Sequence, residues 1–172
     1  MNNAHDECQQ GESHDERLAL PIEQGVLLWC MRMWVIEMKR GIGLEGRIDN
    51  MLDALDAPFA SSYLKGFMFA LSHGCTRMIE VRCVCRKRIS VDEQALLDVL
   101  SLAQAMRSFE ALLVLRGFMT QAGADAALRS AEGIGTVLAQ TGRFLPEPEE
   151  EVRHYALSAT AGVARPPNTT LH

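Results

Sequence analysis

The chain has 172 residues, a formal net charge of -5, 48% hydrophobic residues and 23% charged residues. That length holds about one domain of the usual roughly 100 to 200 residues rather than two large ones, and the composition excludes wholesale disorder. An acidic balance lacks the basic footprint of a nucleic-acid binder, and 6% aromatic residues beside nine Met and abundant Leu, Ala and Val favour helix over sheet.

The first segment, Met1 to Arg17, carries His5, Asp6, Glu7, Glu12, His14, Asp15 and Glu16 with no basic start followed by an apolar stretch, and no signal peptide is expected in it. A disordered polar tail is expected over residues 1 to 20. Its His-Asp-Glu triplets at 5 to 7 and 14 to 16 offer cation ligands, but ordering a flexible tail opposes binding. The most apolar run, Val26 to Met38, is thirteen residues long and contains Arg32 and Glu37, whereas a membrane span needs about 20 apolar residues. No membrane partner is expected. The five cysteines, Cys8, Cys30, Cys75, Cys83 and Cys85, form an odd set and read as reduced thiols of a cytoplasmic protein.

Periodicity then predicts an all-α domain of five or six helices over residues 21 to 143. Pro21 opens the first helix, Ile22, Val26, Trp29, Cys30, Met33 and Trp34 recur at spacings of three and four, and Lys39, Arg40 and Gly41 close it. With Leu27, Leu28, Met31, Val35, Ile36 and Met38 on its other faces, this helix is central to the fold or half of a dimer interface. An amphipathic helix follows from Leu44 to Asp56, and Pro58 starts another that buries Tyr63, Leu64, Phe67, Met68, Ala70 and Leu71 before Gly74.

From Cys75 to Arg88 apolar and basic residues interleave, and Ile79, Val81, Cys83 and Cys85 would share one face of a short strand. One extended segment near residues 78 to 86 is therefore expected, as a connector or a strand. Ser90-Val91-Asp92-Glu93 is a capping box that starts a helix through Leu96, Leu97, Leu100 and Ala103. A break at Met106 to Ser108 precedes a helix carrying Phe109, Leu112, Leu113, Phe118 and Met119. Gly123 and Ala124 lead to a last helix from Asp125 to Gln140, where Ala127, Ala131, Gly135 and Ala139 form a small-residue stripe that allows close helix approach. Residues 144 to 172, with Pro146-Glu147-Pro148-Glu149-Glu150-Glu151, read as a surface tail.

Few constellations carry chemistry. His73, Cys75, Cys83 and Cys85 offer zinc a borderline-soft ligand set at unfavourable spacing; buried cysteines and a His73 ring bonded to its own helix end are the simpler assignment. A redox role for Cys83 and Cys85 would draw on Arg82, Arg86, Lys87 and Arg88, which lower the pKa of a thiol they approach. The run Arg86-Lys87-Arg88 is too short for nucleic acid. Glu151-Val152-Arg153-His154 has the spacing of a di-iron half-site but no second copy. Gly41-Ile42-Gly43-Leu44-Glu45-Gly46 follows a helix, where a dinucleotide site needs a strand. No catalytic set and no cofactor is expected. Trp29 and Trp34 could line a ligand pocket with Arg32, a charge that must reach solvent, find an acid or meet an anion.

The stretch from Cys83 through Ser90-x-Asp-Glu-x-x-Leu-Leu resembles small helical proteins of alphaproteobacteria that have no assigned activity. The resemblance covers the middle half of the chain and implies a bacterial source and a helical fold. A self-associating interaction or regulatory protein of the cytoplasm, a homodimer through the Val26 to Met38 helix or the small-residue stripe of the last helix, is the leading expectation. A small-molecule or zinc-binding protein comes second, and an enzyme with an unrecognised site third.

Overall fold

Local chemistry sets several of the helix ends. The protein, seen in a computed structural model that describes residues 15 to 41 and 45 to 148, folds as an all-α domain. Among the described residues there are six α-helices, α1 Ile22–Arg40, α2 Glu45–Asp53, α3 Ala60–Gly74, α4 Val91–Gln104, α5 Ser108–Arg116 and α6 Gln121–Gln140, with a short 3-10 turn, Glu16–Ala19, ahead of them. Gly41 ends α1 in the left-handed region at φ 61°, a conformation that costs glycine nothing. The capping box forms as expected, the Ser90 hydroxyl accepting from Glu93 N–H while the Glu93 carboxylate accepts from Ser90 N–H. Met106, at φ 60°, turns the chain between α4 and α5.

The last helix begins earlier than the expected Asp125. Thr120 caps it by accepting from Gly123 N–H, which places Gly123 inside the first turn of α6. The reason is tertiary. Among the described residues helices α3 and α6 form the most extensive pair, and a Cβ on Gly74 would stand 2.8 Å from the Gly123 Cα. Gly135 lies as tightly on α4, where a Cβ would fall 2.8 Å from the Gln104 Cα. The small-residue stripe therefore serves close packing within one protomer: Ala127, Ala131 and Gly135 are buried there, and a dimer built through them would have to open the core.

Helix α1 is central for its first three turns. Leu27, Leu28, Cys30 and Met31 are buried together with Phe67, Leu64, Leu96, Leu97 and Ile134 in one core, each large side chain contributing about 1.5–3 kcal/mol relative to an exposed position. Both ends of the helix reach solvent, at Ile22 and Met38.

Residues 76 to 90 form no strand. An isolated antiparallel bridge between Cys75 and Met119 lies just ahead of them. The expected face of Ile79, Val81, Cys83 and Cys85 divides, the first two half-buried and the two cysteines exposed. With no strand alongside, the backbone of this connector takes its hydrogen bonds from side chains of α1, α4 and the 3-10 turn. Described residues on either side of positions 21 and 143 also make contacts: Arg17 donates to the Val84 carbonyl at 2.6 Å, and Leu145 is buried with its N–H on Gln104 Oε1. The His-Asp-Glu triplet at 5 to 7, His14, Cys8, and the Glu151 to His154 motif lie outside the described residues.

Candidate functional site

The site is built from a charge inside a core helix. Arg32 is 1% exposed and Glu93 is fully buried. The Arg32 Nε donates to Glu93 Oε1 at 2.7 Å and Nη2 to Oε2 at 2.8 Å, a two-point pair between α1 and the first turn of α4. The remaining guanidinium donors turn to the connector, Nη1 to the Arg86 carbonyl at 2.7 Å and Nη2 to the Arg88 carbonyl at 2.8 Å. Glu93 in turn accepts from the Arg82 N–H at 2.9 Å and the Ser90 N–H at 2.8 Å. Burial alone pushes the Glu93 carboxyl up, but the bonds from Arg32, Ser90 and Arg82 outweigh it and hold the group below its ordinary value. Buried ion pairs are favourable only when such further bonds satisfy their remaining atoms, and here they do.

Neighbouring residues extend the same device. Asp92 accepts from the Glu80 N–H at 2.7 Å and pairs with Arg77 at 2.6 Å, which lies over the Phe118 ring. The Ser90 hydroxyl donates to the Glu80 carbonyl and Glu16 accepts from the Ile89 N–H. Side chains thus replace the partner strand that the connector lacks.

Two concavities border the connector. One is an apolar groove of about 480 Å³ walled by Trp34 and Val35 of α1, Met68 and Leu71 of α3, and Ile79 and Val81. Met78, 94% exposed, stands at its edge. The other is a polar hollow of about 450 Å³ lined by Glu80, Val81, Arg82, Cys83, Arg86 and Arg88.

The expected ligand-binding trio separates. Arg32 finds its acid and is committed to Glu93 and the connector, so it is not offered to a ligand. Trp34 lines the groove, whereas Trp29 packs half-buried against the core. The expected metal set separates too. His73 is exposed, its ring 4.1 Å from that of Phe69 and its Nδ1 3.0 Å from the Phe69 carbonyl, as a ring at a helix end does. Cys75 is half-buried at the α3 C-cap, its thiol raised by burial. Cys83 and Cys85 come together, their sulfurs 3.0 Å apart. Among the described residues no group of three or more His, Cys, Asp or Glu is placed to hold a metal ion. Cys85 is disulfide-bonded, which corrects the reading of all five cysteines as reduced thiols.

Glu93 is the residue that the sequence hid, since the capping box already accounts for it. Its signal was the unpaired arginine in an apolar run, which demands an acid somewhere. No family model, curated protein or solved structure is similar to the chain. Among the described residues no helix is long and apolar enough to cross a membrane.

Proposed function

We propose that the chain is a non-enzymatic interaction protein that pairs with a second copy through the groove between α1, α3 and the connector. The observation that carries this reading is Met78, an almost fully exposed apolar side chain beside an apolar groove. A knob and a hole on one surface suit a two-fold interface, in which each copy fills the other. Methionine adapts to irregular apolar walls. Sedimentation equilibrium tests the proposal: the native chain is expected to dimerise reversibly, and Met78→Asp to weaken the dimer at least about tenfold. A chain that stays monomeric at all concentrations, or a dimer indifferent to Met78→Asp, contradicts it.

A small apolar ligand in the same groove is the second reading, favoured by Trp34 in its wall. Quenching or shift of tryptophan emission by a bound apolar dye, lost in Trp34→Leu, would favour it. The proposed setting is the bacterial cytoplasm, which the free thiols of Cys30, Cys75 and Cys83 support and the Cys85 disulfide counts against.

A further inference from the structure

The connector holds Met78 outward at a fixed place. Arg77 donates to the Met78 carbonyl at 3.0 Å and pairs with Asp92 at 2.6 Å, while Asp92 accepts from the Glu80 N–H at 2.7 Å. The backbone on both sides of Met78 is thereby tied to the first turn of α4. Its thioether is open to solvent, whereas Met68 in the groove wall and Met31, Met33 and Met119 are buried. Among the described residues the other exposed methionines are Met38 and Met106, and Met106 borders a separate hollow walled by α4 and α6. The wall that a second copy's methionine would meet is apolar at Trp34, Val35, Met68 and Leu71. Ser72 and Arg77 bring polar atoms to it that are already engaged, the Ser72 hydroxyl on the Phe69 carbonyl and the Arg77 guanidinium on Asp92, and Lys39 stands exposed at the end of α1.

We propose that Met78 is an oxidation site through which peroxide controls pairing, an inference that rests on the pairing of two copies through this groove. In the unpaired chain the Met78 sulfur attacks one oxygen of hydrogen peroxide. A sulfur–oxygen bond forms, the oxygen–oxygen bond breaks, and the proton on the transferred oxygen passes to the departing hydroxide, which leaves as water. Sulfur loses two electrons and the peroxide gains them. The product is a sulfoxide, a polar group on what was an apolar knob. Seating it against the apolar wall strips water from the new oxygen without supplying a donor, so the oxidised chain pairs at least about tenfold more weakly. In the pair the sulfur is covered, and pairing in turn protects it.

Tryptic cleavage after Arg77 and Arg82 isolates Met78 in residues 78 to 82, and cleavage after Arg88 and Arg107 isolates Met106 in residues 89 to 107, so mass spectrometry reads each sulfoxide alone. The full native chain is treated with hydrogen peroxide at protein concentrations well below and well above the dimerisation constant found by sedimentation equilibrium. Met78 should oxidise at least about tenfold more slowly in the concentrated sample, with Met106 oxidising at one rate in both. After removal of peroxide, the chain treated dilute should have lost its pairing and the chain treated concentrated should have kept it, although both met the same oxidant. A paired chain whose Met78 oxidises equally fast at both concentrations, or one fully oxidised at Met78 that still pairs as before, overturns this proposal and leaves the dimer standing. A chain that is monomeric before any peroxide is added overturns both. The comparison uses no substitution, so it holds whatever a change at Met78 does to folding.

Discussion

Arg32 and Glu93 illustrate how one pair of residues decides more than its own contact. Arg32→Met preserves most of the apolar stem but leaves Glu93 buried without its cation, and should lower unfolding free energy in urea by about 3–5 kcal/mol. Replacing both by apolar residues restores isolated buried pairs in other settings. Here the double variant Arg32→Met with Glu93→Leu should remain less stable than the native chain, because the N–H groups of Arg82 and Ser90 and the carbonyls of Arg86 and Arg88 lose their partners. The acids also set opposite pH dependences. The folded Glu93 carboxyl lies below its ordinary value of 4.5, so its contribution is complete above that pH and is lost as pH falls through the folded value. Asp98, 4% exposed, is pushed above its ordinary 3.8 by burial against a hydrogen bond from Gln94. It therefore favours the folded state in its protonated form, and stability is lost as pH rises from 3.8 through the raised value. Asp98→Asn should stabilise the protein by about 1 kcal/mol at neutral pH, read as a higher melting temperature, and Glu93→Gln should flatten the loss of stability below pH 4.5.

Elements were legible where their ends carry local chemistry. Pro21 and Gly41 bracket α1, the Ser90 capping box opens α4, and the break at Met106 to Ser108 separates α4 from α5. Two elements escaped because tertiary contacts govern them. The alternation of Ile79, Val81, Cys83 and Cys85 has strand period, but no second strand exists among the described residues, and Arg32, Glu93 and Asp92 hold the backbone instead. Gly123 looked like a helix boundary and is a helix contact, a distinction that depends on Gly74 arriving opposite it from 49 positions earlier in the chain. Gly123→Ala should consequently cost about 1–3 kcal/mol despite alanine's better helix propensity, because the added carbon meets backbone rather than a side chain that can turn away. An increase in melting temperature would show that α3 and α6 can separate at no cost.

At the scale of the whole molecule, the pair of Arg32 and Glu93 joins the core to the surface that would meet a partner. One guanidinium locks α1 to α4 and also fixes the connector whose residues Met78, Ile79 and Val81 border the groove. The candidate site was half legible: Arg32 and Trp34 stood out in sequence, while the acid 61 positions away and the groove itself needed the fold. The connector has no strand or helix bonds of its own, so it should open as a unit when the pair is removed, without unfolding the helices behind it. Residue-resolved amide hydrogen exchange on the native chain and on Glu93→Gln tests this coupling. Protection is predicted at Arg82 and Ser90 in the native chain and its loss in the variant, with amides of α3 and α6 still protected. Unchanged protection of Arg82 and Ser90, or a uniform loss across all helices, would contradict the claim that this buried pair holds the connector in place.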